Sequence, residues 1–248
     1  MTLVKLTTVA VLALALGACQ SLFQPNMRTP LEVKRDRWEH IKPGCNTADC
    51  PLVNIDTIHF PANPKLDAIV EKRLLQMTQD NERDALPTSL KAYEDKFMAS
   101  AESRHSSYLQ AKVREQHDGL VIIELSSYLD TGGAHGMPGR GFINYSRQQD
   151  KVLTLQDMLV PGQEATFWKT AEEAHKGWLI STGMDKDAEF VKTWPFRQTP
   201  HIALTYGAVV LKYEVYAIAP YSMGHIELKI PYPRLNGIIK PELFPGRG

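Results

Sequence analysis

Ser106-Ser107-Tyr108-Leu109-Gln110-Ala111-Lys112-Val113-Arg114 runs on through His117-Asp118-Gly119 into Leu120-Val121-Ile122-Ile123-Glu124-Leu125, and this stretch decides the fold. Leu109, Ala111 and Val113 alternate with Gln110, Lys112 and Arg114, the period of a strand with one buried face. Asp118-Gly119 is turn chemistry. Leu120–Leu125, apolar except for Glu124, suits an interior strand. Downstream, Gly141–Arg147 and Lys151–Leu155 read as a second hairpin around Gln149-Asp150. Residues 163–181 then show a helical stripe of Phe167, Ala171, Ala174 and Trp178. Val209, Leu211, Tyr213, Val215 and Ala217 form one late strand face, and Ile226, Leu228 and Ile230 another, joined by Pro220–Gly224. Upstream, Val53–Phe60 reads as a strand ended by Pro61. Asn63-Pro64 opens a helix carrying Leu66, Ile69, Val70, Leu74 and Met77, and a second helix starts near Thr88. The order predicts an α+β fold, with helices packed on largely antiparallel sheet.

The 248 residues balance 28 basic against 28 acidic side chains, and 43% are hydrophobic. That composition is globular and argues against nucleic acid as the main partner, since phosphate binding needs a basic excess.

The N-terminus reads as an address. Lys5 precedes the short apolar run Leu6–Leu16, and Leu16-Gly17-Ala18-Cys19 follows. A positive start, an apolar middle and small residues at the end describe a signal peptide, too short to span a bilayer at about 20 residues. Leu at −3 and Cys19 at +1 resemble the bacterial lipobox, which implies a diacylglyceryl-cysteine anchor at Cys19. Each acyl CH₂ buried contributes about 0.8 kcal/mol, so two or three chains hold stably. Gln20 after the cysteine, by resemblance to lipoproteins of diderm bacteria, points to the outer membrane with the head in the periplasm. The expected organisation is signal peptide 1–18, tether 19–40, an αβ part 41–105 with a disulfide loop, and an α+β part 106–248. Cys45 and Cys50 are then an even pair in a compartment that permits a disulfide, worth about 2 kcal/mol for so small a loop. A zinc half-site would need two more ligands at metal spacing, and none lies nearby.

Five glycines fall within Gly132–Gly141. A phosphate-cradling loop would carry Gly-Lys-Ser/Thr opening a helix; this one carries His135 and Pro138 between strands. His135 has the chemistry of a metal ligand or general base, and also an ordinary reading: a histidine bonded to its loop or packed on Tyr128. No His-Glu-x-x-His pattern accompanies it, and Ser126 and Ser127 do not sit in a nucleophile elbow. No catalytic residue, metal or cofactor is therefore assigned. The candidate binding loop is Thr131, Gly132, Gly133, His135, Gly136 and Arg140, with Trp194 and Tyr221 as candidate aromatic contacts.

Several segments carry a family resemblance in their order. They are Gly44-Cys45 to Cys50-Pro51, Ser127-Tyr128-Leu129-Asp130-Thr131-Gly132-Gly133-Ala134-His135-Gly136, Phe142-Ile143-Asn144-Tyr145, Leu153–Leu159, Tyr216-Ala217-Ile218-Ala219-Pro220-Tyr221 and Glu227–Tyr232. Together they resemble the extracytoplasmic module of the RsiV family, the lysozyme-sensing anti-sigma-V type, from about Cys45 to Pro245. The resemblance implies a two-part α+β module that binds rather than catalyses. The sequence departs from that family in lacking a cytoplasmic sigma-binding segment and a transmembrane helix, so the signalling role is not expected. The expected function is a lipid-anchored envelope binder of a lysozyme-type muramidase or of peptidoglycan. The alternatives are an envelope glycan hydrolase or deacetylase using His135, and a structural or assembly lipoprotein of the outer membrane.

Overall fold

The computed structural model describes residues 27, 29–79, 81 and 83–246. The signal peptide and Cys19 lie outside the described residues.

The first sheet has six strands in sequence order: β1 (Lys34–Ile41), β2 (Leu52–His59), β3 (Ser106–His117), β4 (Leu120–Asp130), β5 (Met137–Ser146) and β6 (Lys151–Val152). Every neighbouring pair is antiparallel except β2 and β3. Those two run parallel and therefore need a crossover. It is supplied by helices α1 (Pro64–Gln76) and α2 (Leu90–Ser100), whose N-caps are Asn63 and Ser89. After β6 come the short α3 (Leu155–Met158), the long α4 (Glu164–Thr182) and α5 (Ala188–Thr193). A second, three-stranded antiparallel sheet follows: β7 (Ile202–Leu204), β8 (Val209–Lys212) and β9 (Glu227–Ile230). The fold is α+β.

The middle of the six-stranded sheet is buried on both sides, and β4 explains how. Its Val121, Ile123 and Leu125 join Val53, Ile55, Leu66, Leu74 and Tyr145 in a core under α1 and α2. The intervening Leu120 and Ile122 face the other way, into a core with Phe167 of α4, Val209 and Leu211 of β8 and Ile230 of β9. A largely apolar run, here interrupted only by Glu124, is what a strand serving two cores requires.

Three expectations are revised. The tether predicted for residues 19–40 ends early, because Lys34–Ile41 pairs with β2 along its full length. Trp38 Nε1 and His40 Nδ1 each reach a carboxylate oxygen of the buried Glu94 on α2, at 2.7 Å. The parts expected on either side of residue 105 share one sheet, since β2 lies directly against β3. The late strand predicted from Val209 to Ala217 stops at Lys212, and Tyr216 beyond it takes a left-handed backbone. The disulfide pairs Cys45 with Cys50 inside the β1–β2 connection, where Lys42 N–H also bonds the Pro51 carbonyl.

Candidate functional site

The glycine-rich segment becomes the tip of the β4–β5 hairpin. Gly132 and Gly133 have φ of 91° and 110°, which glycine alone adopts without strain. Asp130 Oδ1 accepts from the Gly132 N–H at 3.0 Å and fixes the turn. Gly136 is required for space: a Cβ there would stand 2.5 Å from the Tyr128 ring and 2.8 Å from the Leu129 carbonyl. Strand pairing resumes at Met137, so Met137–Gly141, expected to be loop, belongs to β5.

This close approach arranges a polar hub. The Gly136 N–H donates to Tyr128 Oη at 3.2 Å. Its carbonyl accepts from His135 Nδ1 at 3.0 Å and from Tyr221 Oη at 3.3 Å. With the proton on Nδ1, Nε2 carries the lone pair that accepts the Tyr216 hydroxyl at 3.1 Å. The imidazole stacks on Tyr221 with centroids 3.9 Å apart, and Tyr216 lies 5.6 Å from Tyr221. On the sheet side Tyr128 meets Tyr108 edge to face at 5.9 Å, the two standing opposite in register. Tyr108, Met137 and Tyr216 are 39%, 53% and 47% exposed. Three separate segments thus build one exposed aromatic band.

His135 is held in a fixed orientation by its neighbours. Both ring nitrogens are engaged, one by a backbone carbonyl and one by a phenol. No group of three or more His, Cys, Asp or Glu side chains is placed to hold a metal among the described residues.

The structure brings Thr131, Gly132, Gly133, His135, Gly136 and Tyr221 to this tip. It sets Arg140 apart: four residues along β5, it lines a cavity and bonds the Gly139 carbonyl. Trp194 caps α5, half-buried, and none of the ring contacts joins it to the band. Tyr216 and Tyr108 belong to the band and were not singled out from sequence. The available signals were a bulky ring on the polar side of an alternating strand, for Tyr108, and the Tyr216–Tyr221 segment for the other.

Away from the tip, charge is buried between the sheets. Arg114 of β3 forks onto Glu227 of β9 at 2.9 and 3.1 Å and touches Glu124 of β4 at 3.1 Å. Lys212 of β8 bonds Glu124 and lies 3.1 Å from Glu227. Burial would raise the Glu227 carboxyl, but the bonds from Arg114 and Lys212 outweigh it and lower it to about 2. Phe142 packs beneath both cations.

A family model described as a protein of unknown function, DUF3298, matches residues 156–233, which include Tyr216 and Tyr221. No curated protein matches the chain. Among solved structures, a DUF3298 family protein of Pseudomonas aeruginosa PAO1 is 68% identical, with a TM-score of 0.86 over 90% of this chain and 100% of that one. A DUF3298 member from Bacteroides fragilis NCTC 9343, 16% identical, shares the fold with a TM-score of 0.67, covering 86% of this chain and 94% of its own. Near-complete coverage at that first level of identity establishes that the chain belongs to the DUF3298 family.

Proposed function

We propose that the chain is the head of a lipid-anchored envelope protein that binds a lysozyme-type muramidase through the β4–β5 tip. The observation that carries the reading is the aromatic band of Tyr108, Tyr128, His135, Tyr216 and Tyr221: Tyr128, His135 and Tyr221 bond one glycine, Gly136, Tyr216 bonds His135, and Tyr108 packs on Tyr128. Tyrosine rings with bound hydroxyls are low-entropy contacts of the kind that dominate protein interfaces. The RsiV-type resemblance supplies the partner class, and the lipobox at Cys19 supplies the location at the outer membrane, facing the periplasm. The same stacked rings favour a second reading, direct binding of peptidoglycan, because sugar faces stack on exposed aromatics.

One experiment separates the two. The chain from Ser21 onward is mixed with lysozyme, and in parallel with purified peptidoglycan sacculi. Inhibition of lysozyme with a 1:1 complex is the expected result; sedimentation with sacculi and no complex selects the second reading. Neither result at high micromolar protein would defeat both. Labelling of the full chain with radioactive palmitate, lost on Cys19→Ala, tests the anchor separately.

A further inference from the structure

A cavity of about 650 Å³ lies between the two halves of the molecule, bounded by the C-terminal end of α1, β5, the β6–α3 segment, α4 and the approach to β7. Its size falls in the usual range for small-molecule sites, about 300–1,000 Å³. The walls are chiefly apolar, with Met77, Leu125, Phe142, Leu155 and Met158 among them. Its charged lining is one-sided: Arg73 and Arg140 contribute, burial holds His201 toward its neutral form, and no aspartate or glutamate lines it.

Arg140 is the unusual member. Its guanidinium donates to the Gly139 carbonyl at 2.7 Å, and it takes part in no ion pair among the described residues. Burial draws it below its ordinary value, opposed by Glu124 and by Glu214, whose Oε1 accepts the Arg140 backbone N–H at 3.4 Å without pairing its guanidinium. Nearby Glu124 is already held by Lys212 and Arg114. Arg73 stands exposed in the last turn of α1, with a single 3.4 Å contact to Gln76 Oε1. A half-buried guanidinium without a direct ion pair retains a desolvation cost that an anion would relieve.

We propose that this cavity binds an amphipathic anion, a carboxylate or phosphate on an apolar body, with Arg73 and Arg140 holding the head and Met77, Phe142 and Met158 surrounding the body. The site is separate from the aromatic band and does not depend on the muramidase reading. Guanidinium forks match carboxylate and phosphate oxygens alike, so the head is defined by charge and geometry.

The test is a titration of the ¹⁵N-labelled chain with decanoate and with decyl phosphate, following the indole N–H of Trp168, which lines the cavity. The Trp168 signal is assigned with Trp168→Phe. At least one of the two probes is expected to shift that signal saturably, and the tighter of them identifies the head as carboxylate or phosphate. Decanol and acetate at the same concentrations are expected to leave it unmoved. Arg140→Gln and the exposed Arg73→Gln should each weaken binding about tenfold, the loss of one charged hydrogen bond. No saturable shift with either probe would overturn the proposal. So would decanol binding as well as the anions, or folded Arg73→Gln binding as tightly as the parent.

Discussion

Tyr216 holds φ at 65° although it carries a full side chain, a conformation that costs about 1–3 kcal/mol and persists only where its surroundings impose it. Its hydroxyl goes to His135 Nε2, and nearly half of the residue stays exposed. Core packing alone does not account for such a residue. Tyr216→Asn separates the explanations, because asparagine accepts the left-handed backbone more readily and removes the ring. The urea midpoint is expected to stay within about 1 kcal/mol of the parent, while affinity for the bound partner falls at least tenfold. A variant that unfolds early and binds normally would make Tyr216 a structural residue. The hairpin tip itself was legible, since Gly132, Gly133 and Gly136 announce a backbone that side chains cannot follow. Tyr216 and Tyr108 were not, because only the tertiary fold sets residue 216 beside residue 135 and residue 108 opposite residue 128.

At the scale of elements, legibility tracks burial. β3, β4, α1 and α4 each bury a regular set of apolar residues, and their periodicity predicted them. β1 was read as tether because Lys34, Arg35, Asp36, Arg37 and Glu39 face solvent on an edge strand. Its order comes from the β2 ladder and from Glu94, neither of which leaves a local pattern. The link between the sheets was equally silent in the sequence: Glu124 interrupts apolar β4, Lys212 ends apolar β8, and the two meet only in the fold. Removing Lys212 leaves two carboxylates, the buried Glu124 and its neighbour Glu227, sharing Arg114. Lys212→Met is expected to cost about 3–5 kcal/mol with an unchanged urea m-value. Pairing it with Glu124→Leu should restore much of that loss, because Phe142 already offers an apolar surface beneath the site. A loss below about 1 kcal/mol in the single variant would show that the sheets are held by apolar packing alone.

The whole molecule stacks its second sheet and α4 against the first sheet, and three histidines mark the second half of that assembly. His175 lies between Trp178 and Phe196 on α4 with its Nε2 buried and unpartnered. His225 bonds the Tyr213 carbonyl through Nδ1, and its Nε2 is likewise unpartnered. His201 lines the cavity, 3.7 Å from Glu214. Burial lowers all three below the ordinary histidine value, with Glu172 opposing at His175, Glu214 at His201, and Arg140 reinforcing at His225. The folded protein therefore takes up protons at these rings less readily than the unfolded chain, whose histidines protonate below pH about 6.5. Where the unfolded state binds more protons, stability rises with pH; it must fall as the solution is acidified from about pH 7.5 to 5. Each histidine still neutral in the fold steepens that fall by up to about 1.4 kcal/mol per pH unit. A second loss belongs to Glu227, whose contribution is present above the ordinary carboxyl value and disappears as pH falls toward about 2. Urea midpoints measured across this range should show both phases. His175→Phe, matched to its aromatic neighbours, should flatten the first phase and leave the second in place. Midpoints that stay constant between about pH 7.5 and 5 in the parent would mean these imidazoles protonate inside the fold, and that the junction around them admits water.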